Sequence, residues 1–401
     1  MSAQIFYAWE FGANFGHIGA FLPLGRALQD RGHKVQWVVA QTGSAARLLA
    51  HEGFTWLQAP LAQELSRKNP PLTYADILLR FGYANAEDLM GLVVAWRELF
   101  RMGGAQLVLA DHAPTAVLAA RTLDLPVMLF SYGFTVPLRQ RPLPNMRQWQ
   151  QFPEAKLLAL EDHALASVNR VLQHFGKATF SALHQLFDVA EEAMITYPEL
   201  DHYGNRGPAR YWGSLPNATI GIGPPWPVGG GKRIFAYLRP ETPHVEAALQ
   251  ALHRLGQPTV IYFPGIAETL RQKWQASHMV FAAELMDTER AAREADVAIT
   301  YSSLATTTAF LMAGKPLLLL PSHLEQFLLA KRVVEMGAGQ VISAEQPADN
   351  LPQLLTDLLD NPAYAENARA FSKKYASFGQ ANVIENLVRR IEELCPMESK
   401  T

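Results

Sequence analysis

Cysteine is almost missing from this chain: Cys395 is the single one among 401 residues. That excludes an intrachain disulfide, a CxxC redox pair and a cysteine-rich zinc site, and a reducing cytoplasm is the expected compartment. An excess of one charge sign is missing too. Lys plus Arg (35) nearly cancel Asp plus Glu (37), for a formal net charge of -2. No overall cationic field therefore draws the chain to nucleic acid or to an anionic membrane. The most apolar stretch, Pro316 to Pro321 (PLLLLP), is far shorter than the roughly 20 residues that cross a bilayer, so no integral membrane segment is expected. The opening, MSAQIFYAWEFGANFGHIG, lacks the basic start and long apolar core of a signal peptide, and no secretion signal is expected.

What the chain has is apolar mass. Hydrophobic residues make up 49% and charged residues 18%, which suits large buried cores and argues against disorder. A chain of 401 residues exceeds one comfortable core and suits two domains. Short runs rich in β-formers alternate with helical-period segments, the pattern of α/β domains with parallel sheets covered on both faces. Strands are predicted near Gln4–Trp9, Val35–Ala40, Leu107–Ala110 and Val127–Phe130. A helix from about Ala20 to Arg31 ends at Gly32. Val136 to Arg147 has no clear period and reads as a loop, and Ala155 to Phe187 is helical in pattern. In the second half, strands are predicted near Arg233–Leu238, Thr259–Phe263, Val297–Thr300, Leu317–Leu320 and Gly339–Ile342.

Gly213 to Lys232 concentrates glycine and proline (GSLPNATIGIGPPWPVGGGK) and reads as a linker. It separates domains expected at 1–213 and 233–380, with a last helix at 381–401 that fits either. Gly229-Gly230-Gly231-Lys232 is no phosphate loop. Arg233 follows the lysine instead of Ser or Thr, no glycine stands five residues before Gly231, and the tract precedes a strand.

In doubly wound sheets, ligands bind beyond the carboxyl ends of the strands. Three loops there carry chemistry: Glu10 to Ile18, which ends in Gly16-His17; Asp111-His112; and Tyr301 to Thr308 (YSSLATTT). No HExxH spacing or Gly-x-Ser-x-Gly elbow occurs, so metalloprotease and serine-hydrolase chemistry of those types lack support. Neither His112 nor His323 makes a metal-ligand spacing, and no metal site is expected.

Gly16-His17 followed by Arg31-Gly32-His33-Lys34-Val35 resembles the opening of the family-1 glycosyltransferases of the GT-B fold, of macrolide and UDP-glucuronosyl type. The second half resembles them further. Ala295-Asp296-Val297, the YSSLATTT loop, Ala313-Gly314-Lys315-Pro316, Pro321, Glu325-Gln326 and Gly337-Ala338-Gly339 arrive in family order. The resemblance implies two Rossmann-like domains facing across a cleft, the acceptor held mainly by the first and the nucleotide sugar by the second. It implies an inverting, metal-independent transfer to a hydroxyl of a small acceptor, with the nucleotide sugar as co-substrate and no cofactor.

Such a transfer needs a base for the acceptor proton and N–H-rich or positive surface for the departing diphosphate. The resemblance assigns His17 as base and Asp111 as the group that orients it and stabilises the imidazolium. It places Tyr301, Ser302, Ser303, Thr306 and Thr307 at the diphosphate, where a helix start adds its backbone N–H groups. It also places Gly265, Glu325 and Gln326 with the donor, and His112 and Phe134 with the acceptor. Phe134, Trp149 and Phe152 suggest an apolar acceptor.

The donor loop departs from the family's HGGxGT. Tyr301 replaces its histidine, Ser302 and Ser303 replace its glycines, and Ala309 falls where the family glutamate binds ribose. Arg239 occupies a position that is usually small in the family and is the candidate for compensating charge. Two other readings stay open at this point: a non-catalytic nucleotide-sugar or ligand-binding protein of the same fold, and a nucleotide-sugar epimerase.

Overall fold

A computed structural model describes residues 2–13, 15–65, 69–215 and 221–395. Asn14 of the first loop, residues 216–220 of the expected linker and residues 396–401 of the last segment lie outside them. The described chain forms two compact units, 1–197 with 205–215 and 380–401, and 198–204 with 216–379.

The first unit holds a parallel sheet of β1 (Gln4–Trp9), β2 (Lys34–Val39), β3 (Trp56–Gln58), β4 (Leu107–Asp111), β5 (Val127–Ser131) and β6 (Glu191–Met194). Its spatial order is β3-β2-β1-β4-β5-β6. Successive β1 side chains leave the pleat on opposite sides. Phe6 meets Phe100 edge-to-face at 5.5 Å on one face, while Tyr7 stacks on Phe21 at 4.2 Å on the other. Helices thus cover both faces. The helix Gly16–Asp30 starts four residues earlier than its period predicts, which puts His17 in its first turn.

The second unit repeats the plan with β7 (Ile234–Tyr237), β8 (Thr259–Tyr262), β9 (Met279–Ala282), β10 (Val297–Thr300), β11 (Leu317–Leu319) and β12 (Gly339–Val341). The order β12-β11-β10-β7-β8-β9 is the same winding seen from its own first strand. In both sheets the connections reverse direction between the first and fourth strands, the place beyond whose carboxyl ends doubly wound sheets bind ligands. That point lies between β1 and β4 in one unit and between β7 and β10 in the other.

Two stretches bear on the expected division of the chain. The helix Gln380–Leu394 docks on the first unit, where Val383, Leu387, Val388 and Ile391 join the core around Phe21 and Leu24. Fully burying each such side chain contributes roughly 1.5–3 kcal/mol. Arg31 pairs with Glu385, and His33 Nε2 lies 3.3 Å from Glu392. Within the expected linker, Ile222 and Trp226 pack on the second unit, while residues 228–232 are exposed. Ile222 exchanges backbone hydrogen bonds with Leu285 and Asp287, and Trp226 Nε1 donates to Glu294 at 2.8 Å. Gly221, at φ +131, leaves room for that approach, since a Cβ there would lie 2.5 Å from the Leu285 carbonyl. At this position glycine serves close packing.

Candidate active site

His17 and Asp111 come together at the reversal point of the first sheet. Register pairs Trp9 with Asp111, so the end of β4 lies beside the loop leading from β1 into the His17 helix. His17 Nδ1 is 2.9 Å from Asp111 Oδ2, with both side chains largely withdrawn from water. An ionised carboxylate facing Nδ1 selects the tautomer protonated there, so Nε2 becomes the basic atom. The imidazole is also held by packing. Trp9 stacks on it at 5.0 Å, and Trp9 Nε1 donates to the Phe11 carbonyl at 2.7 Å. Gly12, at φ +97, leaves Nε2 clear, because a Cβ there would sit 2.5 Å from that atom.

His112 follows in a left-handed backbone conformation (φ 47), and its carbonyl accepts from Phe11 N at 2.9 Å. Burial, with a smaller contribution from His17, pushes its pKa down to about 3. It is a neutral imidazole in an aromatic setting, with Phe11, Tyr74 and Phe134 ring centroids 5.3, 6.0 and 6.3 Å away. Phe134 thus lies beside His112. Trp149 is half exposed under Arg147, and Phe152 carries Lys156 over its ring. Neither makes a described contact with the His17 cluster.

Glu10, one residue beyond β1, is 3% exposed. Its Oε2 accepts from Thr115 N at 2.9 Å, in the first turn of the helix Pro114–Thr122, whose own N-cap residue, Ala113, offers no capping side chain. The carboxyl group therefore serves as the missing cap from another strand. Burial raises its pKa to about 8 despite the opposing Thr115 hydrogen bonds.

In the second unit Arg239 and Tyr301 stand at the β7–β10 reversal point. Arg239, just past β7, is half buried. Its guanidinium lies 5.2 Å from the Tyr301 ring centroid, and Nη2 donates to Tyr237 Oη at 3.3 Å. Burial works against the Arg239 charge, yet Tyr301 and Tyr237 raise its pKa on balance. Tyr237 also meets Tyr301 edge-on at 5.1 Å and Tyr262 at 4.9 Å. Gly265, at φ +83, lies against Pro240 beside the same edge.

Ser302 has φ 65, a conformation that glycine adopts without strain and serine only at a cost on the order of 1 kcal/mol. Its N–H donates to Thr300 Oγ1 at 3.1 Å, and its hydroxyl donates to the Gln326 carbonyl at 2.9 Å. The backbone thus keeps a glycine-type turn although the side chain has changed. Ser303 is the N-cap residue of the helix Leu304–Met312, but its hydroxyl donates to Thr306 Oγ1 at 3.0 Å instead of capping the backbone. Thr307 departs from expectation. It is 0% exposed, because the helix packs that face inward, so its hydroxyl is not presented at the helix start. Gln326 turns inward as well, its Oε1 accepting from Ser322 N at 2.8 Å. Glu325 stands in the first turn of the helix Leu324–Glu335.

The sequence reading missed Tyr7, Trp9, Glu10 and Gly12 around His17, and Tyr237 and Tyr262 around Arg239. A signal existed for the tyrosines, since a hydroxyl within a strand otherwise buried and apolar requires a partner. Among the described residues no group of three or more His, Cys, Asp or Glu side chains is placed to hold a metal ion.

No protein-family profile matches the chain. Among curated proteins it is 25% identical over 378 residues to a zeaxanthin glucosyltransferase of Pseudescherichia vulneris, across 86% of this chain and 88% of that one. It is 24% identical over 103 residues to YojK of Bacillus subtilis (strain 168), described as an uncharacterised UDP-glucosyltransferase, across 25% of each. The chain has the GT-B fold and is similar in sequence to glucosyltransferases. Solved structures carry the same fold along its whole length. CalG4, the calicheamicin glycosyltransferase, superposes with a TM-score of 0.73 at 16% identity over 99% of both chains. The glycosyltransferase VinC, solved in complex with dTDP, gives 0.68 at 17% identity over 97% of this chain and 100% of that one.

Proposed function

We propose that this protein is a glycosyltransferase that moves a sugar from a nucleoside diphosphate donor to a hydroxyl of a small, apolar acceptor, with inversion and without a metal. The observation that carries the reading is the buried His17–Asp111 pair, 2.9 Å apart at the sheet's reversal point. His17 Nε2 takes the acceptor proton as the oxygen attacks the anomeric carbon, and the C–O bond to the diphosphate breaks. Asp111 stabilises the imidazolium that forms. Attack opposite the leaving group inverts the anomeric centre. Aromatic groups around His112 favour an apolar acceptor body, in keeping with the zeaxanthin named for one relative.

The leaving diphosphate would be held by the first N–H groups of the helix Leu304–Met312, by Thr306 and by Arg239. The helix-start field comes from backbone and survives the side-chain changes in the loop. Arg239 supplies the positive charge that Tyr301 lacks. The epimerase reading leaves the His17–Asp111 pair without a task.

Arg239→Ala is expected to weaken UDP and dTDP binding by about one to two orders of magnitude, the loss of a charged hydrogen bond. The loss should be steeper at low salt, and Thr306→Val should cost less. Titration calorimetry of both variants at two salt concentrations checks this, and unchanged affinity in Arg239→Ala removes the residue from the donor site. Transfer itself is tested by incubation with UDP-glucose and hydroxylated polyene, macrolide and phenol acceptors. Proton NMR of the product should show a β-linkage from the α-configured donor. An α-linked product overturns inversion.

A further inference from the structure

Asp111 meets more than His17. Tyr7 lies two residues before Trp9 on the same face of β1, fully buried, and its hydroxyl donates to Asp111 Oδ2 at 2.7 Å. The same oxygen faces His17 Nδ1 at 2.9 Å. Oδ1 of Asp111 is buried and has no hydrogen-bond partner among the described residues. Two donors therefore converge on one oxygen, and the phenol is the one with no freedom to move. Its ring is stacked on Phe21 with 13° between planes and lies 4.9 Å from Trp37.

We propose that Tyr7 is a positioning residue that fixes the Asp111 carboxylate and, through the shared oxygen, sets the basicity of His17. Without the phenol, one rotation about the carboxylate bond presents either oxygen, or neither, to the imidazole. With it, Oδ2 stays on Nδ1. The phenol also withdraws charge. A hydrogen bond to an ionised carboxylate stabilises that form and weakens its pull on a second proton, so Tyr7 keeps His17 from holding its proton too tightly to work as a base at neutral pH. Burial, with the Asp111 charge second, raises the Tyr7 pKa well above the ordinary phenol value, and the phenol remains a donor throughout. Two other titratable rings face His17: His112 at 6.4 Å and Tyr132 at 6.2 Å. His112 is neutral above about pH 3 and adds no titration in the working range.

The inference rests on the reading of His17 as base, but its test needs no turnover. Protein labelled with 13C-histidine is titrated by NMR, with the His17 resonance assigned by its loss in His17→Gln. In Tyr7→Phe the His17 midpoint should rise by about half to one pH unit. In an Asp111→Asn background the same substitution should leave it unmoved, because the coupling runs through the carboxylate. 3-Fluorotyrosine at position 7 keeps the packing and donates more strongly, so it should move the midpoint down and covers the case in which Tyr7→Phe does not fold. A wild-type midpoint in both substituted proteins, or an equal shift with and without Asp111, overturns the proposal. Loss of transfer in His17→Ala together with a normal Tyr7→Phe titration would sink this inference and leave the base assignment standing.

Discussion

His17→Ala is expected to lower turnover by roughly two to four orders of magnitude, with nucleotide affinity unchanged. The pair sits on the first sheet, where His17 Nδ1 and Asp111 Oδ2 are 2.9 Å apart, whereas Arg239 and the Ser302–Thr306 turn belong to the second unit. Removing the imidazole deletes the proton acceptor and touches none of the groups assigned to the diphosphate. The loss should fall on kcat and kcat/KM together, the pattern of an interaction made only in the transition state. Asp111→Asn should cost somewhat less. The amide keeps the shape, but it withdraws the countercharge and can turn its NH2 toward Nδ1, which selects the wrong tautomer. Steady-state kinetics beside calorimetry of UDP binding check both. Wild-type turnover in His17→Ala contradicts the base assignment.

The second large effect is on stability. Glu10 is held in a buried site where its pKa rises to about 8 from 4.5. The folded protein therefore binds a proton across that interval while the unfolded chain has released it. Stability falls as pH rises through the window. At about 1.4 kcal/mol per pH unit, discounted for relaxation around the buried charge, the loss by pH 8.5 is on the order of a few kcal/mol. Glu10→Gln keeps an oxygen for Thr115 N and has no proton to lose. Its melting temperature should exceed wild type by on the order of 5 °C or more at pH 8.5 and match it near pH 4.5. The check is differential scanning calorimetry at both pH values. The same difference at both would show that Glu10 does not carry the expected proton.

The central strands were legible in the sequence because burial on both faces leaves an unbroken apolar run. Gln4–Trp9 and Val297–Thr300 are found at their predicted bounds. The three missed strands are short, and two of them are the outer strands of the first sheet. β3 is three residues long with Leu57 exposed, and β6 opens on Glu191 and Glu192, which pair with arginines. Edge strands carry charge for reasons unrelated to strand propensity, so their periodicity is lost. β9, at the edge of the second sheet, is four residues long and only partly buried.

At the site, residue order located His17, Asp111, Arg239 and Ser302, since all four follow central strands. Tyr7 and Glu10 were hidden for a different reason. Their roles depend on partners about a hundred positions away, Asp111 and Thr115, which only the parallel pairing of β1 with β4 brings alongside. In the expected linker, composition alone does not separate tight packing from mobility: Gly221 lies against the Leu285 backbone, where a Cβ would not fit, whereas Gly229 and Gly230 have open space around them.

Transfer of a sugar onto an acceptor hydroxyl should depend on the His17–Asp111 pair. The most direct measurement is mass spectrometry of acceptor and nucleotide after incubation with UDP-glucose and the acceptor panel, for wild type and His17→Ala side by side. The acceptor should be heavier by one hexose, one UDP should be released per transfer, and both should be nearly lost in His17→Ala. UDP bound or released with no acceptor gaining mass, or equal product from both proteins, would contradict it.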